Sequence, residues 1–182
     1  MAPAVTAPSP FERLLGAEFA RLPAPVRRIH SLSRALTVAG QAEVSAAPGL
    51  WPWLIAAVAG LPKPGSEVPV EVVFAPDGRG GERWRRRFAG RRYASTLGLG
   101  AEGTIVERMG PFSLAFHLRP RSDGLEWSLV AWRFAGLPLP RATLPAISCR
   151  ESGEGGRFRF AIRVAFPLVG PVVSYRGWLA PS

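Results

Sequence analysis

The chain has 182 residues, 47% of them hydrophobic and 20% charged, which is enough to bury a core in one domain and excludes a disordered polymer. Its formal charge is +10, which points towards anionic partners, although Lys63 is the one lysine among 23 basic residues and a GC-rich genome would raise the arginine count without selection for binding. One cysteine, Cys149, excludes an intramolecular disulfide and agrees with a cytoplasmic, reducing setting.

Residues 1–8 lack a basic stretch followed by an apolar one, so they read as a flexible arm rather than a signal peptide, with a single domain expected over 9–182. SPFERLLGAEFARLP predicts a helix. Ser9 is its N-cap, Pro10 takes the first helical position and Glu12 closes a capping box, while Phe11, Leu14, Leu15, Phe19 and Leu22 share one face. Pro23 stops it, Pro25 opens another short helical turn through His30, and a strand is predicted over Leu36–Ala46. GLWPWLIAAVAGLP predicts a second helix, apolar on most sides and therefore expected to be buried. Its apolar run is about half the length of a membrane span and contains Pro52, so no transmembrane segment is expected.

From Val68 onward the period is two. VPVEVVF, the arginine-rich GERWRRRF, FSLAFHL, LEWSLVAWRF, RFRFAIRVAFPL and VVSYRGWL each predict a strand, joined by turns such as PDGRGG and by the proline-rich connection GLPLPRATLP. About eight strands and two early helices make an α+β fold. A large antiparallel sheet with one apolar face must cover that face. The expected form is a large curved sheet or half-barrel packed around one or two N-terminal helices, with the Trp-rich helix as the cover.

GERWRRRFAGRRY holds six arginines in thirteen residues. Strand parity places Glu82, Trp84, Arg86 and Phe88 on one face and Arg83, Arg85 and Arg87 on the other. With Ala89-Gly90 as a two-residue turn, Arg91, Tyr93, Ser95 and Leu97 join the first face. Most cations are thereby separated from the rings, which argues against a nucleic-acid site that stacks bases beside its charges. Arg86 is the exception, a charge between two aromatic core positions, which needs a partner. It is either an inward salt bridge, with Glu82, Glu43, Glu71 and Glu107 as candidate partners, or an anion anchor within a ligand cavity.

Other chemistry is sparse. His30 and His117 are the two histidines, and with no cysteine cluster and no paired acidic motif they make no metal site. No dinucleotide or nucleotide fingerprint occurs, so no cofactor is assigned. Acid–base catalysis would have to use His30 with Glu43 or Glu107. Trp51 and Trp53 on a basic protein also fit contact with an anionic membrane surface, but their helix lacks the charged face of an interfacial anchor.

The ordered series FERLLGAEFARLPAPVRRIHSL, GQAEV, GERWRRRFAGRRY, VERMGPFSLAF, WRFAGLPLPRA and GRFRFAIRVAFPLVGPVVSYRGWL resembles the bacterial domain-of-unknown-function family DUF4166, from about Phe11 to Leu179. The resemblance implies one complete copy of that domain. Similar domains occur fused behind saccharopine-dehydrogenase-like, NAD(P)-binding domains, so it also implies an NAD(P)-binding oxidoreductase as a partner. It carries over no catalytic residues. It directs interest to the positions that fill its motifs: His30, Glu43, Trp84, Arg86, Glu107, Arg108, Trp132, Tyr175, Arg176 and Trp178. The leading expectation is a non-enzymatic binding or accessory domain whose apolar cavity takes a lipid-like, acid-headed amphiphile, held by Arg86 with Arg176 in support.

Overall fold

The computed structural model describes residues 8–181, so all of the expected arm but Pro8 lies outside the described residues. Three short helices, α1 (Pro10–Leu15), α2 (Ala24–His30) and α3 (Leu50–Val58), accompany eleven strands. The strands are β1 (Leu36–Ala46), β2 (Gly65–Pro76), β3 (Glu82–Phe88), β4 (Arg91–Leu99), β5 (Ile105–Met109), β6 (Phe112–Arg121), β7 (Gly124–Phe134), β8 (Leu137–Pro138), β9 (Ala146–Glu154), β10 (Arg157–Phe166) and β11 (Gly170–Pro181). Every pairing is antiparallel.

The expected half-barrel is a closed barrel. The strands follow one another as β6-β5-β4-β3-β2-β1-β11-β10-β9-β7, and a further pairing of β6 with β7 joins the ends. Closure solves two problems together. It hides the apolar face of a long twisted sheet, and it removes the edges. The two-residue β8, within the proline-rich connection, adds to the end of β7 through Arg133 and Phe134. Glycines let the wall coil tightly: a Cβ on Gly124 would sit inside the Glu151 carbonyl, and one on Gly177 would collide with the Gln41 carbonyl and Phe160.

Because the barrel covers its own interior, no helix is needed inside it. α1 and α2 instead plug one end, burying Phe11, Val26, Ile29 and His30 against the strands. The Ser9 capping box forms as the sequence predicts, with the Ser9 hydroxyl accepting from the Glu12 amide and the Glu12 carboxylate accepting from the Ser9 amide. The long first helix does not. It breaks at Gly16, whose φ is 52°, and a 3-10 turn (Gly16–Arg21) completes the segment.

α3 overturns the expectation of burial. It crosses the other end of the barrel, with Pro52, Ile55 and Ala56 towards the protein and Leu50, Trp51, Trp53, Leu54 and Val58 exposed. Hydropathy alone identified an apolar helix. It does not say that the sheet has already closed without it. Among the described residues no helix is long and apolar enough to cross a membrane.

Candidate functional site: a polar cluster in the barrel interior

The β3–β4 hairpin forms in the predicted register, with Phe88 opposite Arg91, Arg86 opposite Tyr93 and Trp84 opposite Ser95. Its two turn residues, Ala89 and Gly90, have φ of 42° and 87°, as a type I′ turn requires. Strand alternation then sends Trp84, Arg86, Phe88, Tyr93 and Leu97 into the barrel. Ten strands enclose more space than eight, whose interior side chains just fill it. A cavity of about 160 Å³ remains between the α3 end and the plug. Most of its lining is apolar, including Val72, Phe116, Trp127, Phe160 and Ile162; its polar groups are a cluster around Arg86 and, apart from it, Glu151.

Arg86 donates from Nη1 to the Ser95 hydroxyl at 2.8 Å and from Nη2 to Glu107 Oε1 at 2.9 Å. The Arg86 and Glu107 side chains are 15% and 13% exposed, so this is an inward ion pair on a cavity wall. The guanidinium also lies 4.7 Å from the Trp84 ring centroid and 5.5 Å from that of Tyr93. Burial alone would lower the Arg86 pKa, but Glu107 and the neighbouring tyrosines outweigh it, and the guanidinium is held more firmly charged than usual. Burial pushes the Tyr93 hydroxyl up to about 12, against the opposing pull of Arg86. Burial likewise raises Tyr175 and Cys149 well above their ordinary values. Both tyrosines are held neutral, and Cys149 is held as a thiol.

Below this cluster, at the plug, His30 Nε2 lies 2.7 Å from Glu151 Oε2, and the His30 ring stacks on Phe11 with centroids 3.9 Å apart. The Trp84 indole donates to Glu82 at 2.7 Å. Burial opposes the charge on His30, but Glu151 and Glu82 overcome it and raise its pKa above the usual 6.5. Burial raises Glu82 above 4.5, with His30 and the Trp84 N–H pulling the other way.

Of the sequence-predicted residues, Trp84, Arg86, Glu107 and Tyr175 all line the cavity. His30 does not; its side chain is fully buried within the plug, and its carboxylate partner is Glu151 rather than Glu43 or Glu107. Glu43 and Arg176 sit on the outer wall, paired with each other at 2.8 Å and largely exposed, so Arg176 cannot assist Arg86 inside. They face each other across the β1–β11 pairing, at positions whose side chains alternate outward from Val44 and Tyr175. Arg108 is exposed, while Trp132 and Trp178 are half-buried, with Arg157 stacked 4.4 Å over Trp178. Glu151 was missed because AISCRESGE shows little apolar alternation and reads as a loop, yet it forms β9 between β10 and β7. Its one sequence signal is parity with Cys149.

The closed ten-strand sheet and its inward Arg86 cluster define a β-barrel domain. The model of a family described as Domain of unknown function (DUF4166) matches residues 22–179, and the chain belongs to that family. No curated protein matches the chain.

Proposed function

We propose that the barrel is a binding domain for a small amphiphile with an acidic head. The apolar part occupies the cavity, and the head takes the N–H groups of Arg86 that Ser95 and Glu107 leave free. The observation that carries this reading is a charged guanidinium on the wall of an apolar cavity of about 160 Å³. A fully filled barrel would need neither the space nor the charge. Apolar cavities near this size admit a single ring such as benzene, so the ligand class is a ring or short acyl chain rather than a long lipid. Trp127 lines the same cavity with its ring, and its buried indole N–H has no protein partner. Glu107 neutralises Arg86 within the protein, and Tyr93 and Tyr175, held neutral, add no competing charge. In this reading His30 is sealed within the plug and does not touch the ligand, while its partner Glu151 reaches the cavity lining.

Native mass spectrometry of protein purified from cells tests this. The wild type should carry an adduct of a few hundred daltons at most (on the order of the cavity's capacity), and Arg86→Met should lose it. The double variant Arg86→Met/Glu107→Leu, which removes both charges, should fold and also lack the adduct. An adduct retained at wild-type occupancy in the folded double variant would remove Arg86 from the account.

A further inference from the structure

We infer that the α3 end of the barrel docks on an anionic lipid bilayer, with α3 lying in the membrane interface. This inference does not depend on what the cavity binds.

The register places both ends of every strand. The ends of β1, β3, β5, β7 and β10 and the starts of β2, β4, β6, β9 and β11 lie together at the α3 end. The exposed large apolar side chains gather there. Trp51 and Trp53 are 64% and 65% exposed, Phe134 and Leu137 flank the β7–β8 turn, and Leu168 projects fully from the β10–β11 turn. At the plug end Leu99 alone among the described residues is in this class, at 37% exposure. An apolar surface gathered at one pole marks an interaction site, whereas scattered single side chains do not.

Charge selects the occupant. Lys63, Arg92, Arg108, Arg133 and Arg141 are exposed in or within three residues of the connections at this end. Among the described residues one exposed carboxylate, Glu67, shares that zone. Tryptophan over a ring of cations suits a surface with an apolar interior and an anionic rim, where indoles settle at headgroup level. The lack of any charge between Gly49 and Pro62 is then explained. A free amphipathic helix needs its own polar face, but α3 turns its other face to the barrel, and the surrounding strand ends provide the cations. Ala59, Gly60 and Leu61, just after α3, line the cavity, so the docked face adjoins its mouth.

The test is co-sedimentation of the full chain with vesicles of phosphatidylcholine alone and of phosphatidylcholine with phosphatidylserine. The protein should pellet with the phosphatidylserine vesicles and weaken as salt rises. Trp51→Ser/Trp53→Ser should lower the bound fraction roughly tenfold or more, since both aromatics leave the interface, with far-UV and near-UV circular dichroism showing a retained fold. Absence of pelleting with phosphatidylserine vesicles would overturn the inference. So would binding indifferent to the tryptophan changes, which would be attachment through the arginines of the outer wall. A wild-type dimer in light scattering that the tryptophan variant converts to a monomer, with no vesicle binding by either, would assign α3 to a second copy of this chain and overturn it equally.

Discussion

A single side chain, Arg86, decides how the interior is read. Its guanidinium is more than four-fifths buried and shares its charge with Glu107, so removing one partner strands the other. Glu107→Ala should destabilise the protein by about 3 kcal/mol, while Arg86→Met/Glu107→Leu should restore most of that loss. A double-mutant cycle in urea checks this; additive losses would mean that the pair is not coupled. His30 gives a pH signature. Its folded pKa is raised, so its contribution is complete below the unfolded value and is lost as pH rises through the folded one. Glu82, also raised, has the same sign from a lower starting point. Melting temperature should therefore decline as pH rises from about 6 to 9, and His30→Gln should flatten that decline. Equal slopes in the two proteins would remove His30 as its source. Arg86's inward direction was legible from parity with Trp84 and Phe88. Its partner was legible only as one of four candidate carboxylates, because Glu107 reaches it through the β4–β5 pairing, which no local pattern encodes.

At the scale of elements, the β3–β4 hairpin was readable down to its turn, because two residues between alternating strands leave one geometry. Ala89 holds a positive φ there, which costs a non-glycine residue roughly 1–2 kcal/mol. Ala89→Asn, giving the favoured Asn-Gly pair, should therefore stabilise the protein by about 0.5–1 kcal/mol in chemical denaturation. A neutral or destabilising result would show the strain to be relieved elsewhere. Two elements escaped the sequence for different reasons. β9 carries Arg150, Glu151, Ser152 and Gly153 in a row and becomes a strand because β10 and β7 pair with it on both sides. α3 was legible as a helix and misread as core, because burial depends on which other surface is still open when it docks.

For the whole molecule, closure governs both stability and charge. β11 bonds to β1 on one side and β10 on the other, so cutting the chain before Gly170 opens the barrel. The shortened protein should bind a hydrophobic dye and lose its near-UV circular dichroism; a native-like spectrum would show that the sheet closes without β11. The net positive charge pointed towards anionic partners. In the closed barrel several outer-wall arginines meet carboxylates in cross-strand pairs such as Arg87–Glu71, Arg121–Glu126 and Arg176–Glu43, each worth little in water, and the net charge is the excess of arginine beyond such pairs. The sequence told which face of each strand was apolar, and so that a sheet had to hide one side. Whether it would do so by recruiting a helix or by meeting its own edge depended on the β6–β7 contact, set by the sum of twist over ten strands.

The most direct measurement is calorimetric titration of lipid-stripped protein with octanoate and with 1-octanol, a pair that differs in the acidic head. Octanoate should bind saturably and one-to-one, with 1-octanol weaker by roughly tenfold, the scale of one charge-assisted hydrogen bond. In the Arg86→Met/Glu107→Leu variant that preference should vanish. Equal affinity of the wild type for both compounds, or no binding of either, would contradict the proposed function.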